Sequence, residues 1–145
     1  MRRADIYRIN IRMGTEKSKS ELVVITKVKD LCSYVFTVTE KSPKRFRFTL
    51  VSRMQNYCLD TMESLFRANE VFVGQTTGGK EKAEQRLGLQ HKALTSLKLL
   101  GYIAQLAMEQ QCIMQKQYEV MTRKLSDCQN LTAAWINSDR KRYGP

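Results

Sequence analysis

The residues of this chain best suited to chemistry are basic. Between Lys41 and Arg53 stand five cations and no acid, Lys41, Lys44, Arg45, Arg47 and Arg53, with Phe46 and Phe48 set among them. Guanidinium and ammonium groups bind phosphate oxygens, and aromatic rings interleaved with them stack on unpaired bases. The competing reading makes the two phenylalanines plugs at the end of a helical core and leaves the charges merely solvated. A second cluster, Arg140-Lys141-Arg142, lies within the closing SDRKRYGP. Arg67, Lys98 and Arg123 complete the candidate phosphate contacts; Arg53 and Arg67 are fourteen residues apart, about four helical turns, and so share a face. The whole composition agrees, with 25 Lys and Arg against 14 Asp and Glu and a net charge of +11. Such a surplus speaks of partners rather than of fold: nucleic acid first, an anionic membrane surface second, an acidic protein third.

Catalytic groupings are scarce. His91 is the sole imidazole and sits beside Lys92 on a helix face that reads as exposed. No serine or cysteine lies in a nucleophile elbow. A di-iron bundle needs repeated Glu-x-x-His pairs, which one histidine cannot supply. The four cysteines, Cys32, Cys58, Cys112 and Cys128, form no CxxC pair, so neither a metal nor a cofactor is expected. Cys32, Cys58 and Cys128 fall on apolar stripes and read as small buried hydrophobes in the reducing cytoplasm. Gly74 to Lys80, GQTTGGK, fails the GxxxxGK[ST] spacing and is followed by Glu81, which rules out a P-loop. Carboxylates pair with bases at helical distance, as Glu119 and Asp127 do with Arg123. The chain therefore reads as a binding or assembly protein and not an enzyme.

The elements that must position these residues are helices. With 145 residues the chain is one domain with a substantial core. Tyr118, Met121, Leu125, Cys128, Thr132 and Trp135 recur in steps of three and four, the stripe of a helix over about 115–142. Leu22, Ile25, Val28, Cys32, Val35 and Phe36 mark a first helix from Ser20, its N-cap, to Glu40. Its β-branched runs favour a strand locally, but helical spacing persists for the whole segment. Ser42-Pro43 ends it. A second helix is expected over 49–72, with Leu50, Met54, Tyr57, Cys58, Leu65, Ala68 and Phe72 inward. The linker at 74–80 leads to a third over 80–109, lined by Leu87, Leu94, Leu97, Leu100, Ile103, Leu106 and Ala107, with Lys82, Arg86, Lys92 and Lys98 on other faces. Gly101 there costs about 1 kcal/mol against alanine, which makes sense where a neighbouring helix passes close. Short connections imply an all-α, antiparallel, up-down-up-down four-helix bundle over 20–142. Residues 1–19, with six basic and two acidic side chains, read as a flexible basic tail, and 143–145 as a C-terminal tail. No apolar run approaches the roughly 18 residues of a membrane span, and the charged N-terminus is no secretory signal.

Two segments carry a resemblance. Lys41-Ser42-Pro43-Lys44-Arg45-Phe46-Arg47-Phe48-Thr49-Leu50 at the start of the second helix, and the KQY start and WINSDRKR end of the last, are similar to the accessory variability determinant (Avd) proteins of diversity-generating retroelements. Their broader relatives are four-helix proteins encoded in intervening sequences of bacterial large-subunit rRNA genes. The likeness covers about Glu21 to Arg142. It implies a homopentameric ring or barrel of bundles, binding of RNA or cDNA with little base specificity, and association with the retroelement reverse transcriptase during mutagenic cDNA synthesis and retrohoming. Lys44, Arg45, Arg47, Arg53, Arg67, Lys98, Arg123, Arg140, Lys141 and Arg142 are the residues expected to meet phosphate. The alternative is a structural adaptor whose basic face binds an acidic protein. The basic segment before Glu21 is not part of the family pattern, and Met114 stands where a capping Ser or Thr is usual.

Overall fold

Alternating short steps of valine, leucine and cysteine drive the first element. In a computed structural model, which describes residues 16–74 and 78–144, helix α1 spans Glu16–Thr39 and buries Val24, Val28, Leu31, Cys32, Val35 and Val38. It begins four residues upstream of the expected Ser20 cap, and the rest of the proposed tail, 1–15, lies outside the described residues. Phe36 is partly exposed, because the valines one step away fill the inward stripe. Pro43 stops the helix. After it come a 3₁₀ turn, Lys44–Phe46, and one π turn, Arg47–Val51, before α2, Ser52–Glu70.

Helix α3 spans Gly79–Glu109 and α4 spans Gln115–Tyr143. The described residues contain no strand, and the four long helices share one apolar core. α2 contributes Met54, Cys58, Leu65 and Ala68, and α4 contributes Met121, Leu125, Cys128, Trp135 and Ile136. Phe72, expected inside, lies beyond the end of α2 and is exposed. On α3 the inward stripe is Arg86, Gln90, Ala93, Leu97, Leu100, Ala104 and Ala107. Leu87 and Leu94 are only half-buried, and Leu106 is exposed, since the small alanines rather than the leucines face the neighbouring helices. Arg86, expected on a solvent face, is part of that core. At Gly101 an added Cβ would stand 3.1 Å from Leu125 Cδ2, so α4 does pass close there.

The α3–α4 turn is built by the backbone. Cys112 N–H donates to Ala107 O at 2.7 Å and Gln111 N–H to Met108 O at 3.1 Å, the paired bonds of a Schellman ending. Gln111 takes the left-handed position, φ 63°, where glycine is the usual occupant. α4 then starts without a hydroxyl cap; Gln117 Oε1 instead reaches back to accept from Met114 N–H at 2.8 Å. In the 74–80 linker, Gly78 has φ 93°, and a Cβ at Gly79 would stand 2.6 Å from Gly74 O, so both need glycine.

Candidate nucleic-acid interface

The basic turn is held from three sides. Ser42 Oγ donates to Cys112 O at 2.8 Å, fastening it to the α3–α4 turn. Phe46 N–H donates to Pro43 O at 3.0 Å, closing the 3₁₀ turn, and the Phe46 ring packs half-buried against the core. The π turn fixes which side chains face out. Counting back from buried Met54 in regular helix, Leu50 and then Arg47 would point inward; the extra residue of a π turn puts Phe46 in that place. Arg47 and Phe48 therefore project into solvent, and Phe48 is 86% exposed. The two phenylalanines divide the two readings between them: Phe46 plugs the core, and Phe48 does not.

Lys44, Arg45 and Arg47 are brought together on this turn and are exposed, with Lys41 before them and Arg53 one and a half turns later. The Arg45 guanidinium lies 4.6 Å from the Phe46 ring centre. No described carboxylate lies within ion-pair distance of Lys44, Arg45, Arg47 or Arg53. Arg67 differs, since Glu63 accepts from it at 3.1 Å on the exposed face of α2. Lys98 and Arg123 are exposed on α3 and α4. The expected Arg123 pairs with Glu119 and Asp127 do not form; neither carboxylate is within 4.0 Å of it.

Arg140, Lys141 and Arg142 are exposed at the far end of α4, which is roughly 40 Å from the basic turn along a helix rising 1.5 Å per residue. The ten candidate residues therefore do not form one patch. Nor are all three of these cations equally free. Arg142 Nη1 donates to Asp139 Oδ1 at 3.3 Å and its Nη2 to Ser138 Oγ at 3.2 Å, while Arg140 Nη2 lies 3.0 Å from His91 Nε2.

Behind this end lies a buried ionic cluster that the stripe of leucines concealed. Arg86 Nε donates to Asp139 Oδ2 at 2.6 Å, and Gln90 Nε2 donates to the same oxygen at 2.7 Å. Arg86 Nη1 reaches Val71 O at 3.3 Å, tying the end of α2 to α3. Its guanidinium also sits 5.1 Å from the Trp135 ring centre. The desolvation of such a pair offsets much of its attraction, so it adds little net stability, although removing one partner is costly. The Gln90 Oε1 atom is buried without a hydrogen-bond partner.

The four cysteines are buried and reduced. Cys32 Sγ donates to Cys58 O at 3.3 Å. The Cys32 thiol and burial together push Cys58 up, and burial pushes Cys128 up to about 12. Burial also raises Cys112, opposed by Ser42 and by the positive charge of Arg45. Cys58, Cys112 and Cys128 are therefore proton-holding thiols, poor nucleophiles at neutral pH. On the surface, Lys124 Nζ donates to Asp30 at 2.8 Å and holds that carboxyl below its ordinary value.

Among the described residues no group of three or more His, Cys, Asp or Glu side chains could hold a metal ion, and no helix is long and apolar enough to cross a membrane. No protein-family model matches this chain, and no curated protein sequence matches it.

Proposed function

We propose that this protein is a non-enzymatic, basic four-helix scaffold that binds the phosphodiester backbone of RNA or DNA with little base specificity, as an accessory protein of a diversity-generating retroelement working beside its reverse transcriptase. The observation that carries the reading is the turn at 44–47. Lys44, Arg45 and Arg47 face solvent with no described carboxylate within ion-pair distance, on a segment pinned by the Ser42–Cys112 bond and by Phe46. A charge surplus of +11 points the same way. The segments PKRFRFTL and WINSDRKR supply the family resemblance, with template RNA or cDNA as the nucleic acid.

An antiparallel order of the helices belongs to this reading. It is supported by contacts that run in opposite senses along two neighbouring pairs, α1–α2 and α3–α4: Thr39 with Gln55 and Cys32 with Cys58, and Arg86 with Asp139 and Gly101 with Leu125. A homopentamer belongs to it as well. Leu99, Tyr102 and Leu106 form an exposed stripe on α3, with Tyr102 75% exposed, and a ring would cover such a surface. Val24 is core, and Tyr34 and Leu89 pack half-buried against it.

The test is binding of random-sequence RNA and duplex DNA across a salt series. Phosphate contacts release counterions, so log affinity should fall with log salt by roughly 0.9 per contact on duplex DNA and roughly 0.7 on single strands. Replacing Lys44, Arg45 and Arg47 with alanine should lower both the affinity and that slope for every sequence alike. A salt-independent affinity, or none at low salt alongside capture of an acidic protein partner, would favour the adaptor reading instead.

A further inference from the structure

We infer that Phe48 is a base-stacking residue, and that the basic turn therefore takes single-stranded nucleic acid in preference to duplex. The inference rests on the phosphate-binding reading above and goes beyond it, because phosphate contacts alone give a single strand no advantage over a duplex. Three observations carry it. Among the described residues Phe48 is the most exposed of the large apolar side chains, at 86%, and nothing in the core asks for it. Its neighbour Phe46 already fills the inward position that the turn offers. The π turn aims Phe48 outward between Arg47 and Thr49, next to the exposed cations Lys44 and Arg45.

A ring so placed is solvated at a free-energy cost that a core does not recover. The charges around it choose its occupant. A base in a single strand presents an apolar face flanked by phosphates about one nucleotide away, matching one ring set among cations. In a duplex the faces are covered by neighbouring bases, so the ring gains nothing. An anionic membrane is a poorer match, since interfacial binding needs a continuous apolar face, and here the flanking Arg47 and Thr49 are polar. The turn is also already ordered by the Ser42–Cys112 bond and the buried Phe46, so stacking would not require it to fold first.

The experiment measures affinity of the full chain at low salt for a short oligothymidylate, for an abasic strand of the same length, and for a duplex of that length. The wild type is compared with Phe48→Ala and Phe48→Trp, with circular dichroism confirming that both stay helical. Removal of the ring should weaken oligothymidylate binding roughly ten-fold and leave the abasic strand and the duplex unchanged. Phe48→Trp should restore or exceed wild-type affinity for oligothymidylate. Equal oligothymidylate affinity for the wild type and Phe48→Ala overturns the stacking role, and leaves phosphate binding standing if salt still weakens the complex. Failure of the wild type to bind any of the three overturns the phosphate reading itself. Phe48-dependent capture on phosphatidylserine vesicles, with no Phe48 effect on oligothymidylate, overturns the inference in favour of a membrane surface.

Discussion

Arg86 and Asp139, separated by 53 residues of chain, meet inside the protein at 2.6 Å, and both are more than nine-tenths buried. The pair links the first third of α3 to the last turn of α4, so the position of the terminal basic cluster depends on it. Asp139 also accepts from Gln90 and Arg142, which spreads its charge over three donors. Asp139→Asn should cost about 3 kcal/mol, because it leaves the Arg86 guanidinium without its carboxylate in a desolvated site. Arg86→Met should cost less, since Gln90 and Arg142 still serve Asp139. The double variant should recover most of the loss, both charges having gone. Urea midpoints of the three variants check this; a double variant as unstable as the sum of the singles would contradict it.

Gln111 pays the strain of a left-handed residue in the turn that anchors Ser42. Glycine has no Cβ to clash there, so Gln111→Gly should raise stability by about 1 kcal/mol. Thermal melts decide it. A lower melting temperature would mean that the side chain itself holds the turn.

Gly101 is balanced between two effects. Alanine would gain about 1 kcal/mol of helix propensity but press on Leu125, 3.1 Å away from the added carbon. Gly101→Ala should thus change stability by less than about 1 kcal/mol, whereas Gly101→Val, with two further carbons at the contact, should lose roughly 1–3 kcal/mol by overpacking. If valine were tolerated as well as alanine, the close approach of α4 would not be real.

Cys128 makes stability depend on alkaline pH. Burial raises it from 9.0 to about 12, so the folded protein holds a proton that the unfolded chain releases. Stability is complete below pH 9.0 on this account and falls as pH rises towards 12, by about 1.4 kcal/mol per pH unit for one proton. Cys128→Ala should lessen that slope by one proton's share, with Cys58 and Cys112 still contributing, whatever it does to stability at neutral pH. Urea titrations of both proteins at a neutral and an alkaline pH measure the difference, and parallel slopes would remove the claim.

How far the sequence reveals this protein can be judged from α4. Met121, Leu125, Cys128, Thr132 and Trp135 announce their helix by spacing, and all are buried. Carrying the same step four residues past Trp135 arrives at Asp139, and stepping back from Ala93 by three and then four arrives at Gln90 and Arg86. Two oppositely charged residues on two inward stripes were a readable signal for the buried pair. It is obscured because Leu87 and Leu94 draw the eye to a neighbouring face, while small alanines line the real contact. The 41–53 segment announces its charge in composition alone. Which of Phe46 and Phe48 turns outward depends on one π turn, and no local residue preference encodes that choice.

The separation of the two basic clusters has a consequence for binding. Lys44, Arg45 and Arg47 lie beside the α3–α4 turn, whereas Lys141 lies near the other end of α4, roughly 40 Å away. Duplex DNA advances about 3.4 Å per base pair, so only a duplex of roughly 12 base pairs or more could touch both clusters of one chain. On a much shorter duplex a molecule engages one cluster at a time, so alanine at Lys44, Arg45 and Arg47 combined with Lys141→Ala should weaken binding by more than the two losses taken separately. On a longer duplex one molecule bridges both ends, so the two losses should simply add. Lys141→Ala is the cleaner probe at its end, since Arg142→Ala also strips a donor from Asp139 and Arg140→Ala breaks the contact with His91. Double-variant cycles at the two duplex lengths provide the measurement. Simple additivity on the short duplex would mean that another copy of the chain, and not the length of α4, brings the two clusters together.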